Sequence, residues 1–129
     1  MTTLRRCIST PDAPPPIGPY CQGNIAGPFV FTAEVGGDDP QTGKPVPGGI
    51  TKQTEQTINN IQAILRAGGC DLGDVAKVTV YLADLADFKP MNEVYKQRFR
   101  EPFPARAIVQ TKLPSAEAKV AMDAVALRP

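Results

Sequence analysis

Thr-Ile-Asn-Asn-Ile-Gln-Ala-Ile-Leu-Arg-Ala-Gly-Gly (57–69), followed closely by Ala-Lys-Val-Thr-Val-Tyr-Leu (76–82), is the stretch on which the fold of this chain turns. Thr54, Thr57, Ile58, Ile61, Ile64, Leu65 and Gly68 advance in steps of three and one, laying a single stripe along an amphipathic helix. Gln53, Glu55, Asn59, Gln62 and Arg66 fall on its wet side, and Gly68-Gly69 supplies a left-handed stop. The period then changes to two. Ala76, Val78, Val80 and Leu82 alternate with Lys77, Thr79 and Tyr81, the pattern of a half-buried strand.

Working upstream, Arg5 to Thr10 reads as a short strand, and Pro11 through Pro19 forbids regular structure. Cys21 to Ala26 and Phe29 to Val35 read as two strands joined by Gly27-Pro28, and Gly36 to Gly49 as a loop holding Asp-Pro-Gln-Thr-Gly. Downstream, Asp87 caps a second helix that tolerates Pro90 in its first turn, with Phe88, Met91, Val94, Tyr95 and Phe99 on its apolar face. Strands at about Ala105 to Leu113 and Lys119 to Leu127 close the chain. The order β-β-β-α-β-α-β-β predicts an α+β fold, a six-stranded mixed sheet with two helices on one face. The other face has no cover within one copy, so a homo-oligomer that buries it is expected, with a ligand site at the interface.

The totals exclude more than they identify. At 129 residues the chain is expected to be a single domain spanning 1–129. Lys+Arg of 14 against Asp+Glu of 13 leaves +1, so no global field draws nucleic acid or a membrane surface. Lys89, Lys96, Arg98 and Arg100 read as a solvated helix face, and the absence of tryptophan leaves little for base stacking. With no histidine, most hydrolytic and metal chemistry is disfavoured, and a zinc site is not expected. Cys7, Cys21 and Cys70 cannot all pair and show no Cys-x-x-Cys spacing, which suits free thiols in a reducing compartment. The N-terminal Met-Thr-Thr-Leu-Arg-Arg-Cys-Ile lacks the apolar run of a signal peptide, and no segment could span a bilayer. The expected location is the cytoplasm.

Arg106, in Phe-Pro-Ala-Arg-Ala-Ile-Val-Gln-Thr (103–111), is the first charge inside a β-rich run. A guanidinium on a half-buried strand needs an anion, and its planar fork fits a carboxylate two bonds at a time, as lysine cannot. The partner is either a ligand or a structural carboxylate; a third option is snorkelling to the sheet edge.

Several stretches together resemble the RidA family (YjgF/YER057c/UK114), the reactive-intermediate imine deaminases. They are Pro-Ile-Gly-Pro-Tyr-Cys-Gln (16–22), Phe-Val-Phe-Thr-Ala-Glu-Val-Gly (29–36), Asp-Pro-Gln-Thr-Gly (39–43) and the helix from Gln53-Thr54 to Ile64-Leu65. Asp-Val-Ala-Lys-Val-Thr-Val-Tyr-Leu-Ala-Asp (74–84), Asn-Glu-Val-Tyr (92–95), Pro-Ala-Arg (104–106) and Asp-Ala-Val-Ala (123–126) follow in register, so the resemblance covers nearly the whole chain. It implies a chorismate-mutase-like fold assembled as a homotrimer around a central barrel, with ligand clefts between subunits. It also implies hydrolysis of small 2-imino or 2-enamino carboxylates, such as 2-aminoacrylate and 2-iminopropanoate, to 2-keto acids and ammonia, without cofactor or metal. Arg106 matches the arginine that grips the substrate carboxylate. Tyr20 matches a cleft tyrosine that orients the imine or a water; packing against the proline loop is its alternative. Thr32 falls where the family has serine if one extra residue is placed in 36–39; otherwise Ala33 takes that slot. Asn92 matches a cleft asparagine, Phe88 either packs in the core or walls the pocket, and Ile108 shapes the pocket where the family often has cysteine.

The chain also departs from the family. The last strand of well-studied members carries a glutamate that positions or activates the attacking water, and here Ala121 occupies that position. Lys119 and Asp123 share the face of Ala121 but lie about 7 Å away along an ideal strand. Glu34 is either a substitute carboxylate or a surface residue at a strand end. Two other readings follow from this departure. One is a deaminase specific to another pathway, as 2-aminomuconate deaminase is. The other is a non-catalytic trimer binding small carboxylates or a protein partner, in the manner of relatives described as translation inhibitors or chaperone-like. A nuclease is the weakest reading, given no histidine and a neutral charge.

Overall fold

The predicted stripe is the buried face of a helix. In the computed structural model, which describes residues 5–129, α1 runs Gly49–Ala67 and buries Thr54, Thr57, Ile58, Ile61, Ile64 and Leu65. Gly69, at φ +87°, makes the left-handed exit that a side chain would resist. Four short strands precede the helix: β1 (Arg5–Ile8), β2 (Gly23–Ala26), β3 (Phe29–Thr32) and β4 (Val35–Gly36). After it come β5 (Val75–Leu82), α2 (Phe88–Arg98), β6 (Ala105–Gln110) and β7 (Val120–Leu127).

The strands form one mixed sheet in the order β1-β2-β3-β7-β5-β6, with β4 continuing the β3 edge along β7. Only β5 and β6 pair in parallel, as a crossover through α2 requires; the other pairs are antiparallel. Val30, Val78, Val80, Leu82, Val120, Met122, Ala124 and Ala126 are buried and alternate along their strands, which defines the helix-covered face. Ile58, Ile61, Ile64, Leu65, Met91, Val94, Tyr95 and Phe99 meet them from the two helices. The opposite face carries Phe29, Phe31, Val109 and Leu127, all 41–50% exposed. Exposed apolar side chains of that size on an uncovered sheet face suit contact with another surface.

Three local expectations need correction. The strand expected over 29–35 is two pieces in a seven-stranded sheet. Phe31 pairs with Val125 but Val35 with Met122, so Thr32, Ala33 and Glu34 on one side oppose only Asp123 and Ala124 on the other. Three residues against two make a β-bulge at that point. Gln53 is buried, not wet: its amide donates to the Glu117 carbonyl and accepts the Lys119 N–H, tying α1 to the turn before β7. Asp87 makes no side-chain cap; Asp84, whose carboxylate accepts the Ala86 N–H, caps the short turn ahead of α2 instead.

The cysteines give a fourth correction. Cys7 and Cys21 are joined by a disulfide, with Cα atoms 5.7 Å apart, and only Cys70 is free and buried. Sequence spacing concealed the pair because it depends on the β1–β2 register, which sets Cys7 opposite Asn24. The argument for a reducing compartment from three free thiols therefore falls. No helix among the described residues is long and apolar enough to cross a membrane.

Candidate active site

Arg106 lies on β6 opposite Val78, so it shares the helix-covered face and projects beneath α2. There its guanidinium stacks over the Tyr95 ring at 4.6 Å and stands 5.8 Å from the Phe88 ring. One Nη1 donates to Asn92 Oδ1 at 2.8 Å. The periodicity of α2 delivers this arrangement: Phe88, Asn92 and Tyr95 recur at spacings of four and three, one face of a helix. No carboxylate pairs with Arg106 among the described residues, where the ion pairs are Lys52–Glu55, Arg66–Asp71 and Lys96–Glu93. The structural-carboxylate alternative is thereby excluded. A permanent cation is held flat on an aromatic ring, pinned by one amide, with its remaining donors unpaired among the described residues.

Phe88 is 37% exposed, so of its two expected places the structure gives it the wall beside Arg106 and not the core. Ile108, two residues along the same face, packs against the core and floors this side. Tyr95 was legible only as a helix-stripe residue. Its buried hydroxyl has no hydrogen-bond partner among the described residues, and burial pushes its pKa up to about 12. A stripe aromatic one turn from a candidate ligand residue was the available signal for its role.

Tyr20 and Thr32 belong to a second group. Tyr20 is 46% exposed, and its hydroxyl accepts the Ile17 N–H at 3.3 Å. It borders a cavity of about 210 Å³ closed by Pro14, Ile17, Glu34, Leu113 and Ala121. The cavity exists because Gly36 and Ala121, directly paired across β4 and β7, put no bulk on this face. Thr32 lines an adjoining depression with Tyr20, but its hydroxyl is already committed. It donates to the Ala33 carbonyl at 2.9 Å and accepts the Ala124 N–H at 3.0 Å, closing the ladder gap at the bulge. Glu34, read as a strand-end surface residue or a substitute carboxylate, faces the cavity. Burial first, and the Asp123 carboxylate second, raise its pKa above the ordinary carboxylate value.

Gln22 was missed altogether. It is 3% exposed, accepts the Thr10 N–H at 2.7 Å and donates to the carbonyls of Thr10, Ala13 and Pro14 at 3.0, 3.2 and 2.9 Å. That one amide fixes the proline loop that carries Tyr20. Gly23, beside it, is required where β2 meets α1, since a Cβ there would lie 2.8 Å from Ile64 Cγ2 and from the Phe31 carbonyl.

The structure thus gathers Arg106, Asn92, Phe88 and Ile108 in one place and Tyr20 with Thr32 in another. Three strand spacings, β6 to β5 to β7 to β3, separate the two groups by roughly 14 Å at ~4.8 Å each.

The sequence profile of the family described as endoribonuclease L-PSP matches residues 10–128. The chain belongs to the RidA (YjgF/YER057c/UK114) family. Among RidA-family relatives, a protein of Homo sapiens named 2-iminobutanoate/2-iminopropanoate deaminase is 41% identical over 125 residues, covering 97% of this chain and 91% of its own. A RutC family protein of Pyrococcus abyssi is 46% identical over 124 residues, covering 96% and 98%. Two solved structures share the fold closely. RidA from an Antarctic Psychrobacter superposes with a TM-score of 0.89 at 38% identity, over 95% of this chain and 98% of that one. TdcF of E. coli, solved with bound serine, gives 0.88 at 38%, over 96% and 99%.

Proposed function

We propose that this RidA-family chain hydrolyses small 2-imino and 2-enamino acids to 2-keto acids and ammonia. The site is a cleft between subunits of a homotrimer built on the open sheet face. One observation carries this reading: Arg106 is a preorganised guanidinium with no carboxylate of its own among the described residues. Stacking on Tyr95 and the single bond to Asn92 fix the plane of the fork, so a carboxylate can dock on the free donors without reorganising the site.

The chemistry needs little beyond orientation and a held water. A protonated 2-imino acid is already electrophilic at C2, and anchoring its carboxylate sets that carbon relative to the water. Tyr20 would orient the imine nitrogen or the water. The roughly 14 Å between β6 and β3 within one chain separates Arg106 from Thr32, and so from the Tyr20 side, too widely for one small substrate. A neighbouring copy, seated on exposed Phe29, Phe31, Val109 and Leu127, would supply the missing half. The names of relatives such as the human deaminase support the same activity.

The test couples the protein to an amino-acid oxidase that generates 2-imino acids from alanine or leucine. Ammonia release is expected to accelerate on addition of the wild type and to return to the buffer rate with Arg106→Ala. Buffer-rate release with every imino acid tried would overturn the proposal in favour of a non-catalytic carboxylate-binding trimer.

A further inference from the structure

The imine reading leaves the proton of the attacking water without an acceptor, because the strand position where the family places glutamate holds Ala121. The space above Ala121 nevertheless contains a carboxylate. Glu34 is two residues from Gly36, and strand alternation puts both on the face of Ala121, the residue paired with Gly36. The same register sets Glu34 opposite Asp123, where facing Cβ atoms stand about 5 Å apart. Asp123 accepts a 2.7 Å hydrogen bond from the Tyr81 hydroxyl, which orients it from β5. Glu34 lines the cavity that Tyr20 borders, whose volume of about 210 Å³ accommodates a small acid and a water.

We propose that Glu34 is the catalytic acid–base of this cavity, with Asp123 and Tyr81 as its positioning pair. The assignment rests on the imine-hydrolysis reading of the site. In the first step the water oxygen bonds to C2, the C=N π pair moves to nitrogen, and the water proton passes to the Glu34 carboxylate, giving a neutral carbinolamine nitrogen. Glu34 then returns that proton to nitrogen. The C–N bond breaks with its electron pair, the hydroxyl oxygen closes to C=O, and its proton goes to Glu34 and thence to ammonia. Iminium and water become keto acid and ammonium, and Glu34 is regenerated.

The surroundings suit a group that must both take and give a proton. The facing Asp123 carboxylate, held as an acceptor by Tyr81, disfavours the charged form of Glu34. Burial and Asp123 both raise the pKa of Glu34, bringing it nearer to working pH. The other titratable groups facing it are Tyr20 from the proline loop and Asp38 from the loop after β4, itself raised by burial. The 113–118 segment lines the cavity with uncharged residues only.

The experiment measures kcat and KM for 2-iminopropanoate against pH in wild type, Glu34→Gln, Asp123→Asn and Asp38→Asn, each checked for a native melting transition. Glu34→Gln is expected to lower kcat about 100-fold or more while KM moves less than about three-fold, and to abolish the acidic limb of the profile. Asp123→Asn removes a neighbouring negative charge, so it should displace that limb to lower pH. Retained kcat with the limb intact in Glu34→Gln overturns the assignment alone, as does loss of the limb in Asp38→Asn instead. Absence of turnover in the wild type overturns the deaminase reading and this assignment together.

Discussion

Replacing Gln22 with leucine tests how the fold holds its candidate site. The substitution keeps the volume but removes one acceptor and two donors, and with them the bonds to the Thr10 N–H and to the carbonyls of Thr10, Ala13 and Pro14. Ala13 is 2% exposed, so its carbonyl stays buried and unpaired, at about 1–3 kcal/mol. The other three groups reach water when the loop shifts and lose about 0.5–1 kcal/mol each. The total is about 2.5–6 kcal/mol. In a chain of 129 residues, where each kcal/mol moves Tm by about 3–5 °C, a fall of about 8–30 °C is expected. Thermal unfolding followed by circular dichroism at one fixed protein concentration measures it, since assembly would make Tm concentration-dependent. KM for the imino acid should rise as well, because the loop carries Tyr20. Gln22→Glu, which sets a carboxylate against three carbonyls, should be at least as severe. A fall of less than about 3 °C would refute the view that one amide anchors this loop.

Tyr95→Phe removes a hydroxyl that has no partner among the described residues but keeps the ring under Arg106, so stability should stay level or rise by up to about 1 kcal/mol with kcat/KM unchanged. Tyr95→Leu loses the cation–π contact, and kcat/KM should fall about 3- to 30-fold in the same oxidase-coupled assay. Asp71 accepts bonds from Gln62, the Leu72 N–H and Arg66, which together hold its carboxyl below the usual range. A lowered folded pKa contributes stability that is present above the unfolded value of about 3.9 and lost as pH falls through the folded one. Asp71→Ala should therefore cost about 1 kcal/mol in urea unfolding at pH 7 and much less near pH 3, with solvent exposure keeping the effect small.

Much of the architecture was legible because it obeys the two simple periods. The 3.6-residue stripe located α1, the alternation at 76–82 located β5, and the surplus of sheet face over helix cover anticipated exposed Phe29 and Phe31. Departures arose where a polar side chain substitutes for backbone pairing. Gln53 and Gln22 look like surface residues in sequence but are buried because each amide meets several main-chain groups from distant segments. The bulge at Thr32–Glu34 was invisible for a related reason: a threonine hydroxyl spans the gap in the ladder. Cys7–Cys21 needed the β1–β2 register before it could be seen. Of the site, Arg106 was readable as an uncompensated charge in a strand. Tyr95 was hidden by its membership of an ordinary apolar stripe, and Glu34 by an expected strand end that is instead the edge of a cavity.

The most direct measurement on the central claim is the ratio of kcat/KM for 2-iminopropanoate between wild type and Arg106→Ala, read by ammonia release. Two charge-assisted bonds to the substrate carboxylate at about 1.5–2 kcal/mol each correspond to a loss of about 100- to 1,000-fold, with Arg106→Lys recovering only a small part. A ratio within about three-fold of unity would contradict the account, because the guanidinium would then hold no reacting acid.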